Sequence, residues 1–431
     1  MLKAYELLAA LDPLTPQQRE QCKLLLSLGG RGLRSQVGTA AAAWVGSWAL
    51  TLAEVKARTD LHTLDNLEVS TLPLARHCRS AMETLGDATS PDFPSWEELS
   101  NRPMAKAQRA FSKRTNQKQN SSLLDSWNTE GKARLRSCCG PLASAWQQAA
   151  PGHATERLDD EEYELIARYL LGQTVAAADR RTCCNKRVTG AQAGDCCRTV
   201  LCPKAHHCFH CATGGGTKQR SAALVDLLEE IHKQCGFSTD KEVYVAAWDR
   251  WAWRCASPVC EAKGVAPSRR LGPCPACGGH VVTTREAAVL DLEVRSHDVH
   301  RLLFDVTVVH TVQANAVLLA QASGADGVVC RDAERRKHAR YRPEQAPWRM
   351  VPVAFKSYGR LGSESYLYLK KLARKTSVLA GGDGVVAPSL LFAQWACRLS
   401  VCLHRCNVRM LRKGVGGVQA TGGSLRAALA V

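Results

Sequence analysis

Four cysteines arranged as two pairs constrain this chain more than any other feature of its sequence. Cys255 and Cys260 form the first pair, and Cys274 and Cys277, in a Cys-Pro-Ala-Cys-Gly stretch, form the second. Four thiolates in two pairs suit tetrahedral Zn²⁺, and unrelated buried cysteines are the competing interpretation. We predict a closed structural zinc site that organises residues 255–280 and leaves no open position for catalysis.

A second group of cysteines and histidines lies upstream, in residues 181–216. The spacing Cys197-x₄-Cys202-x₃-His206-x₄-Cys211 is typical of a Cys-Cys-His-Cys zinc knuckle. Other residues compete as ligands and leave the register open: Cys183, Cys184, Cys196, His207, Cys208 and His210. We predict zinc here too, either to stabilise the fold or as part of a nucleic-acid-binding site.

The charge balance indicates a polyanionic partner. The chain has 57 Lys and Arg against 40 Asp and Glu, a formal net charge of +17. Nucleic acid is the favoured partner, and a basic mitochondrial or membrane-surface protein is the alternative. The 20 cysteines, without a signal-peptide pattern, indicate a reducing, intracellular compartment. No apolar stretch reaches the ~18–20 residues of a membrane span, so we expect no membrane partner.

Hydrophobic periodicity predicts an α/β domain in the C-terminal half. Its helices are predicted at 221–234, 313–341, 363–379 and 389–412, and its strands at 242–247, 287–294, 302–310 and 348–355. We divide the chain into a helical segment 1–85, a linker with short helices 86–180, the Cys/His knuckle 181–216, the α/β domain 217–413 with a zinc-ribbon-like insertion 255–280, and a flexible tail 414–431.

Two aspartates interrupt apolar strands of this domain. Asp291 lies in Val-Leu-Asp-Leu-Glu-Val, and Asp305 lies in Leu-Phe-Asp-Val-Thr-Val-Val-His. Burying a lone carboxylate is costly, so each needs a cation, a hydrogen-bond network or a strand end. If the strands are neighbours, the carboxylates converge and suit Mg²⁺, which prefers oxygen ligands. A turn or an ordinary ion pair is the alternative interpretation of each aspartate.

A basic helix downstream offers a third partner. Lys337, Arg340 and Tyr341 lie at i, i+3 and i+4 and therefore share one helix face, which can pack against the strand ends. Three glutamates are candidates for a further metal ligand, although such residues are more often solvated: Glu229, Glu230 and Glu242.

The order of these motifs resembles the C-terminal region of non-LTR retrotransposon proteins that carry a restriction-like endonuclease. In that family a Cys-Cys-His-Cys knuckle precedes a nuclease with a Pro-Asp motif, an acid in an Asp-Val-Thr-Val-Val context, and a Lys-x-x-Lys-Tyr helix. Here the matches are Leu290-Asp291, Asp305-Val-Thr-Val-Val-His310 and Lys337-x-x-Arg340-Tyr341. Segments 28–35, 350–362 and 398–407 also look like this family, whereas residues 60–180 match only loosely.

The resemblance implies a restriction-endonuclease-like mixed sheet flanked by helices. It implies that Asp291 and Asp305 bind Mg²⁺, that Lys337 stabilises the transition state, and that Arg340 and Tyr341 lie near the scissile phosphate. The implied activity is nicking of target DNA for target-primed reverse transcription, in the nucleus, with element RNA as a second partner. The alternative is a catalytically inactive, zinc-stabilised remnant that still binds nucleic acid.

Several positions depart from the family pattern. Leu290 replaces the proline of Pro-Asp, and Arg340 replaces the second lysine of the Lys-x-x-Lys-Tyr helix motif. Thr307 occupies the position where such nucleases often carry the lysine, and Lys356 stands where they often carry an acid. Residues 255–277 resemble an insertion between the first two core strands. No Tyr-x-Asp-Asp motif occurs in this sequence, so we expect no polymerase activity from it.

Overall fold

The chain is a mixed α/β protein that forms two compact units, Met1–Lys132 and Ala133–Val431. The computed structural model describes residues 1–59, 73–85, 107–150, 152, 156–175, 184, 197–266, 272–295, 301–312, 315–346, 348–379 and 386–415. The predicted tail, 414–431, lies outside the described residues from 416 onward. The predicted linker, 86–180, is divided between the two units.

The described residues of the first unit form helices joined by turns, without strands. Its helices are α1 Leu2–Leu8, α2 Pro16–Lys23, α3 Gln36–Thr59, α4 Pro73–Leu85 and α5 Ala107–Ser126, and α6 Thr129–Ser137 crosses the unit boundary. Val45 and Ala49 of α3, Met82 of α4 and Phe111 of α5 share one buried cluster. Helix α5 is 20 residues long, whereas short helices were expected there, because its few apolar residues give only a weak periodic signal.

The described residues of the second unit form two β-sheets. Its strands are β1 Ser238–Tyr244, β2 Arg250–Cys255, β3 Lys263–Ala266, β4 Val281–Glu286, β5 Val289–Arg295, β6 Arg301–Val309 and β7 Arg349–Lys356. The larger sheet has the order β1-β5-β6-β7, in which β6 and β7 are parallel and the other neighbours are antiparallel. The smaller antiparallel sheet, β3-β2-β4, lies in sequence between β1 and β5.

Six further α-helices belong to the described part of the second unit. They are α7 Asp160–Leu171, α8 Gly216–Gln234, α9 Ala316–Gly324, α10 Val328–Arg340, α11 Ser363–Leu379 and α12 Pro388–Val415. Helices α8, α10 and α11 contact strands of the larger sheet. Leu224 of α8, Phe304 of β6, Val353 of β7 and Leu399 of α12 belong to one buried cluster. Strand β7 is buried from its second residue to its last, as expected for a parallel strand covered on both faces. Among the described helices, none is both long and apolar enough to cross a bilayer.

Truncation of Phe304 should strongly destabilise the second unit. This ring is fully buried, with centroids 5.1 Å from those of both His232 and Tyr368. We expect Phe304→Ala to lower the free energy of unfolding by about 3–5 kcal/mol, because it removes buried area and leaves a cavity. Val289→Ala, at a site 48% exposed on β5, should change it by less than about 0.5 kcal/mol. Denaturant unfolding followed by tryptophan fluorescence measures both, and equal effects would contradict this packing.

Candidate active site and metal centres

The sheet brings the two predicted aspartates together. Strands β5 and β6 are antiparallel with Leu292 opposite Phe304, so one step further along the register Asp291 faces Asp305. Directly opposite residues of antiparallel strands share a face of the sheet. The Val306 N–H donates to Asp291 Oδ2 at 2.6 Å, and the two carboxyl groups lie within hydrogen-bonding reach of one another. Both carboxylates therefore face one point on the sheet.

Helix α10 adds a lysine to this pair, and the residue that follows the helix adds a tyrosine. Lys337 Nζ lies 2.7 Å from Asp305 Oδ2. Tyr341 packs its ring against Trp248 with centroids 5.3 Å apart, and its hydroxyl is within hydrogen-bonding reach of Asp305. Burial and the Asp305 carboxylate raise the pKa of Tyr341, so its hydroxyl stays protonated. Lys337 and Tyr341, predicted from one helix face, both reach Asp305.

The surroundings of Asp291 disfavour its ionised form. The pKa of Asp291 is raised to about 6, mainly by burial and also by the nearby Asp305 carboxylate, while the Val306 N–H and the Lys337 ammonium lower it. Asp305 itself is only 6% exposed. Two carboxylates meet one ammonium here, so the cluster carries unbalanced negative charge when both acids are ionised.

Other predicted site residues lie elsewhere. The Arg340 guanidinium donates to main-chain oxygens of Trp248 at 2.8 Å and Glu286 at 3.3 Å rather than joining the carboxylates. Its placement near the scissile phosphate stays a prediction. The candidate glutamates have other environments: Glu229 pairs with Lys233 and Lys241, Glu230 pairs with Arg398, and Glu242 is exposed on β1.

The four cysteines of the small sheet converge as predicted. The Cys255 and Cys277 sulfurs lie 3.4 Å apart, the Cys260 and Cys274 sulfurs lie 3.8 Å apart, and all four lie within 4.8 Å of one another. Tetrahedral Zn–S bonds of ~2.3 Å place sulfurs about 3.8 Å apart. Gly278 adopts a φ of +71° in the turn after Cys277, a conformation that glycine reaches without strain. This group, the ribbon cluster, could hold a structural zinc ion.

The side chains that converge in the upstream cluster differ from the predicted ligands. Cys184, Cys197, His207 and Cys211 have ligand atoms within 4.8 Å of one another. The Cys197 sulfur lies 3.2 Å from His207 Nε2, and the Cys184 sulfur lies 3.9 Å from that of Cys211. We call this group the knuckle cluster, and it too could hold a structural zinc ion.

Two predicted ligands of the knuckle cluster are thereby corrected. Cys202 is exposed and its sulfur accepts the His206 N–H at 3.4 Å. His206 Nδ1 lies 3.2 Å from His310 Nε2, away from the cluster. The 3₁₀ turn His206–Phe209 separates the adjacent histidines, so His207 reaches Cys197 while His206 is directed into the core. Cys183 and Cys196, the competing ligands, lie outside the described residues.

The knuckle cluster is joined to the large sheet through His310. This residue follows β6, and its ring stacks on that of Phe209 with centroids 4.8 Å apart. Its Nδ1 lies 2.6 Å from Ser357 Oγ, just after β7. Complete burial holds the pKa of His310 well below its usual range, so the ring is neutral. His310 ends the Asp-Val-Thr-Val-Val-His stretch, but its spacing alone does not indicate this contact.

No protein-family model matches the chain, and no curated protein matches it.

The raised pKa of Asp291 predicts a pH-dependent effect of Asp291→Asn. The folded-state pKa of about 6 exceeds the ~3.9 of an unfolded aspartate, so ionised Asp291 opposes folding. That penalty is absent below about pH 4 and complete above about pH 6. In buffer without added divalent cations, Asp291→Asn should gain stability relative to wild type as the pH rises from 4 to 7. Denaturant unfolding at several pH values tests this, and a constant difference would contradict it.

Proposed function

We propose that the second unit is a metal-dependent DNA endonuclease of a non-LTR retrotransposon, which nicks target DNA for target-primed reverse transcription. The observation that carries this proposal is the convergence of Asp291, Asp305 and Lys337, contributed by three different elements. Lys337 Nζ lies 2.7 Å from Asp305 Oδ2, and the Asp291 carboxyl group lies within hydrogen-bonding reach of that of Asp305. Two carboxylates beside a single ammonium leave uncompensated negative charge, which a bound cation would offset.

The topology supports a restriction-like domain. Helix α8, strands β1, β5 and β6, helix α10 and strand β7 follow one another in the order implied by the resemblance, and the sheet is mixed. The two acids lie on β5 and β6, the central strands of that sheet. The ribbon-cluster sheet is an insertion between β1 and β5, which remain hydrogen-bonded neighbours. The insertion therefore leaves the sheet that carries the acids intact.

The donor set fits Mg²⁺. Carboxylate oxygens are preferred ligands of this ion, and it keeps several positions for water and substrate phosphate. When bound, Mg²⁺ activates water and stabilises charge on a phosphodiester. The Val306 N–H orients the Asp291 carboxylate, and Lys337 holds a positive charge beside Asp305. In a complex with DNA, that ammonium stabilises negative charge on the scissile phosphate.

A basic surface beside these residues supports DNA as the partner. Arg331, Arg335 and Arg336 are exposed on α10, the helix that carries Lys337. Such side chains contact backbone phosphates without reading sequence. The knuckle cluster is the proposed second contact, for DNA or for element RNA, and the proposed location is the nucleus.

Nicking of supercoiled plasmid tests this function. With Mg²⁺ and low salt, the zinc-loaded full chain should convert supercoiled plasmid to open circles. Asp305→Asn should lower the rate about 10³-fold, because loss of ~4 kcal/mol of transition-state stabilisation corresponds to that factor. Asp332→Asn is the matched control, since Asp332 lies on α10 and pairs with Arg335 and Arg336 outside the cluster. It should nick at the wild-type rate.

The same assay separates nuclease from remnant. An inactive remnant leaves the plasmid intact in every variant, yet binds it with an affinity that falls steeply with salt and does not depend on Asp291. Nicking that is equal in wild type and Asp305→Asn would instead show a contaminating nuclease. Either result would overturn the proposed activity.

A further inference from the structure

A small cavity lies at the start of helix α8, away from the carboxylates. Its volume is about 60 Å³, several times the ~10–15 Å³ that one water needs. Gly214 and Gly216 line one side, and Arg220, Arg409 and Lys413 contribute cationic side chains. We call it the α8 cavity.

The first turn of α8 favours an anion at this position. Gly215 caps the helix with a φ of +67°, and it makes no side-chain hydrogen bond to the first turn. No acidic residue lies in that turn. The free N–H groups and the partial positive charge at a helix N-terminus attract anions. Helix α8 is 19 residues long, so this partial charge is fully developed.

The environment of Arg220 is a second observation, independent of the helix N-terminus, that points to a ligand. It is only 2% exposed and lines the α8 cavity. Its Nη1 donates to Asn407 Oδ1 at 2.7 Å and its Nη2 to the Phe209 carbonyl at 3.0 Å, and both acceptors are neutral. Its Nε has no hydrogen-bond partner among the described residues. A buried guanidinium without a carboxylate is costly, and an anion in the cavity would offset that cost.

The other charged side chains that line the α8 cavity are also positive. Arg409 and Lys413 are exposed on the last turns of α12, and no carboxylate lines the cavity. Cys406 is the one lining residue that can become negative. A hydrogen bond from Cys402 and the nearby arginines lower the pKa of Cys406 to about 7. Burial lowers the pKa of Arg220 to about 10, so the guanidinium remains charged at neutral pH.

We infer that the α8 cavity is a binding site for a phosphate group. Three cations, a helix N-terminus and glycines that allow close approach of the backbone are the chemistry that recognises a tetrahedral oxyanion. The group is either free inorganic phosphate or a phosphate of a nucleic-acid backbone. This inference stands apart from the endonuclease proposal, because its residues are distinct from Asp291, Asp305 and Lys337.

A pair of substitutions at Gly215 tests the site without disturbing the core. A Cβ at Gly215 meets nothing within 4 Å, and Asn and Asp both tolerate its left-handed backbone and cap helices well. Gly215→Asp places a carboxylate at the N-cap of α8, between the cavity-lining residues Gly214 and Gly216, and Gly215→Asn is its neutral match. We expect wild type and Gly215→Asn to bind inorganic phosphate saturably in calorimetry, and Gly215→Asp to bind it at least 10-fold more weakly.

A second pair identifies the source of the phosphate. Arg409→Gln removes a cavity cation, and Arg374→Gln removes an exposed arginine of α11 as its control. Binding of a labelled DNA duplex is measured by anisotropy without added divalent cations. Weaker duplex binding by Gly215→Asp and Arg409→Gln, but not by their controls, assigns a backbone phosphate. Unchanged duplex binding with weaker inorganic phosphate assigns the free ion. The inference is overturned if wild type shows no saturable phosphate binding and the Gly215 variants bind duplex equally.

Discussion

Cys211→Ser is expected to remove one of two zinc ions per chain and to disrupt much of the second unit. Cys211 is only 3% exposed, and its sulfur lies in the knuckle cluster. Structural zinc supplies about 10–16 kcal/mol of apparent binding energy in small domains, as much as the ~5–15 kcal/mol that stabilises a whole domain. Cys211 also packs in one buried cluster with Phe209, Tyr358 and Val408, so the loss should spread to α12.

Cys202→Ser is the matched control for that variant. Cys202 is exposed and lies outside the knuckle cluster, so its substitution should leave two zinc ions and near-wild-type stability. Cys184→Ser and His207→Ala should behave like Cys211→Ser. Elemental analysis of the purified chain together with thermal unfolding gives both readouts. If Cys184→Ser retained its zinc and Cys202→Ser lost zinc, the result would support the ligand set predicted from the spacing alone.

Lys337→Gln is expected to lower plasmid nicking about 10²–10³-fold at saturating Mg²⁺. That is the usual effect of removing one preorganised electrostatic group from a transition state. The ammonium lies 2.7 Å from Asp305 Oδ2 with its side chain 27% exposed, so it is close to the carboxylates and still open to a phosphate. Lys337→Arg should retain more activity than Lys337→Gln, because it keeps the charge but changes its geometry.

Arg336→Gln controls for the loss of one positive charge on α10. Arg336 is 61% exposed and pairs with Asp332, so its loss should weaken DNA binding and leave the rate at saturating DNA unchanged. Nicking rates measured over a range of DNA concentrations separate the two effects. If Lys337→Gln and Arg336→Gln lost nicking activity equally, Lys337 would be a DNA contact only, without a role in the chemical step.

Much of the α/β domain was predictable from hydrophobic patterning. The strands carrying Asp291 and Asp305 and the helix carrying Lys337 were all expected, because long apolar runs and helical periodicity are strong signals. The convergence of the three residues required the further assumption that β5 and β6 are neighbours, which their register now supports. That assumption could not come from periodicity, since strand pairing depends on contacts distant in sequence.

Other features of the fold and of the zinc ligands could not be predicted from the sequence. The single helix expected over residues 313–341 is two helices, and the break includes Gly327 with a φ of +73°. A strand expected at 242–247 is β1, Ser238–Tyr244, and its exposed polar residues gave no apolar alternation. Cysteine spacing could not choose between His206 and His207, because adjacent residues differ only in direction. That direction is set by the 3₁₀ turn and by His310.

Occupancy of the carboxylate site by Mn²⁺ is the most direct test, because it does not depend on knowing the DNA target. In electron paramagnetic resonance titrations of the zinc-loaded full chain, we expect one Mn²⁺ to bind per wild-type molecule and to be displaced by Mg²⁺. Asp305→Asn should lose this binding, and Asp332→Asn should retain it. Wild-type protein that binds no Mn²⁺, or binding that survives in Asp305→Asn, would contradict a metal site shared by Asp291 and Asp305.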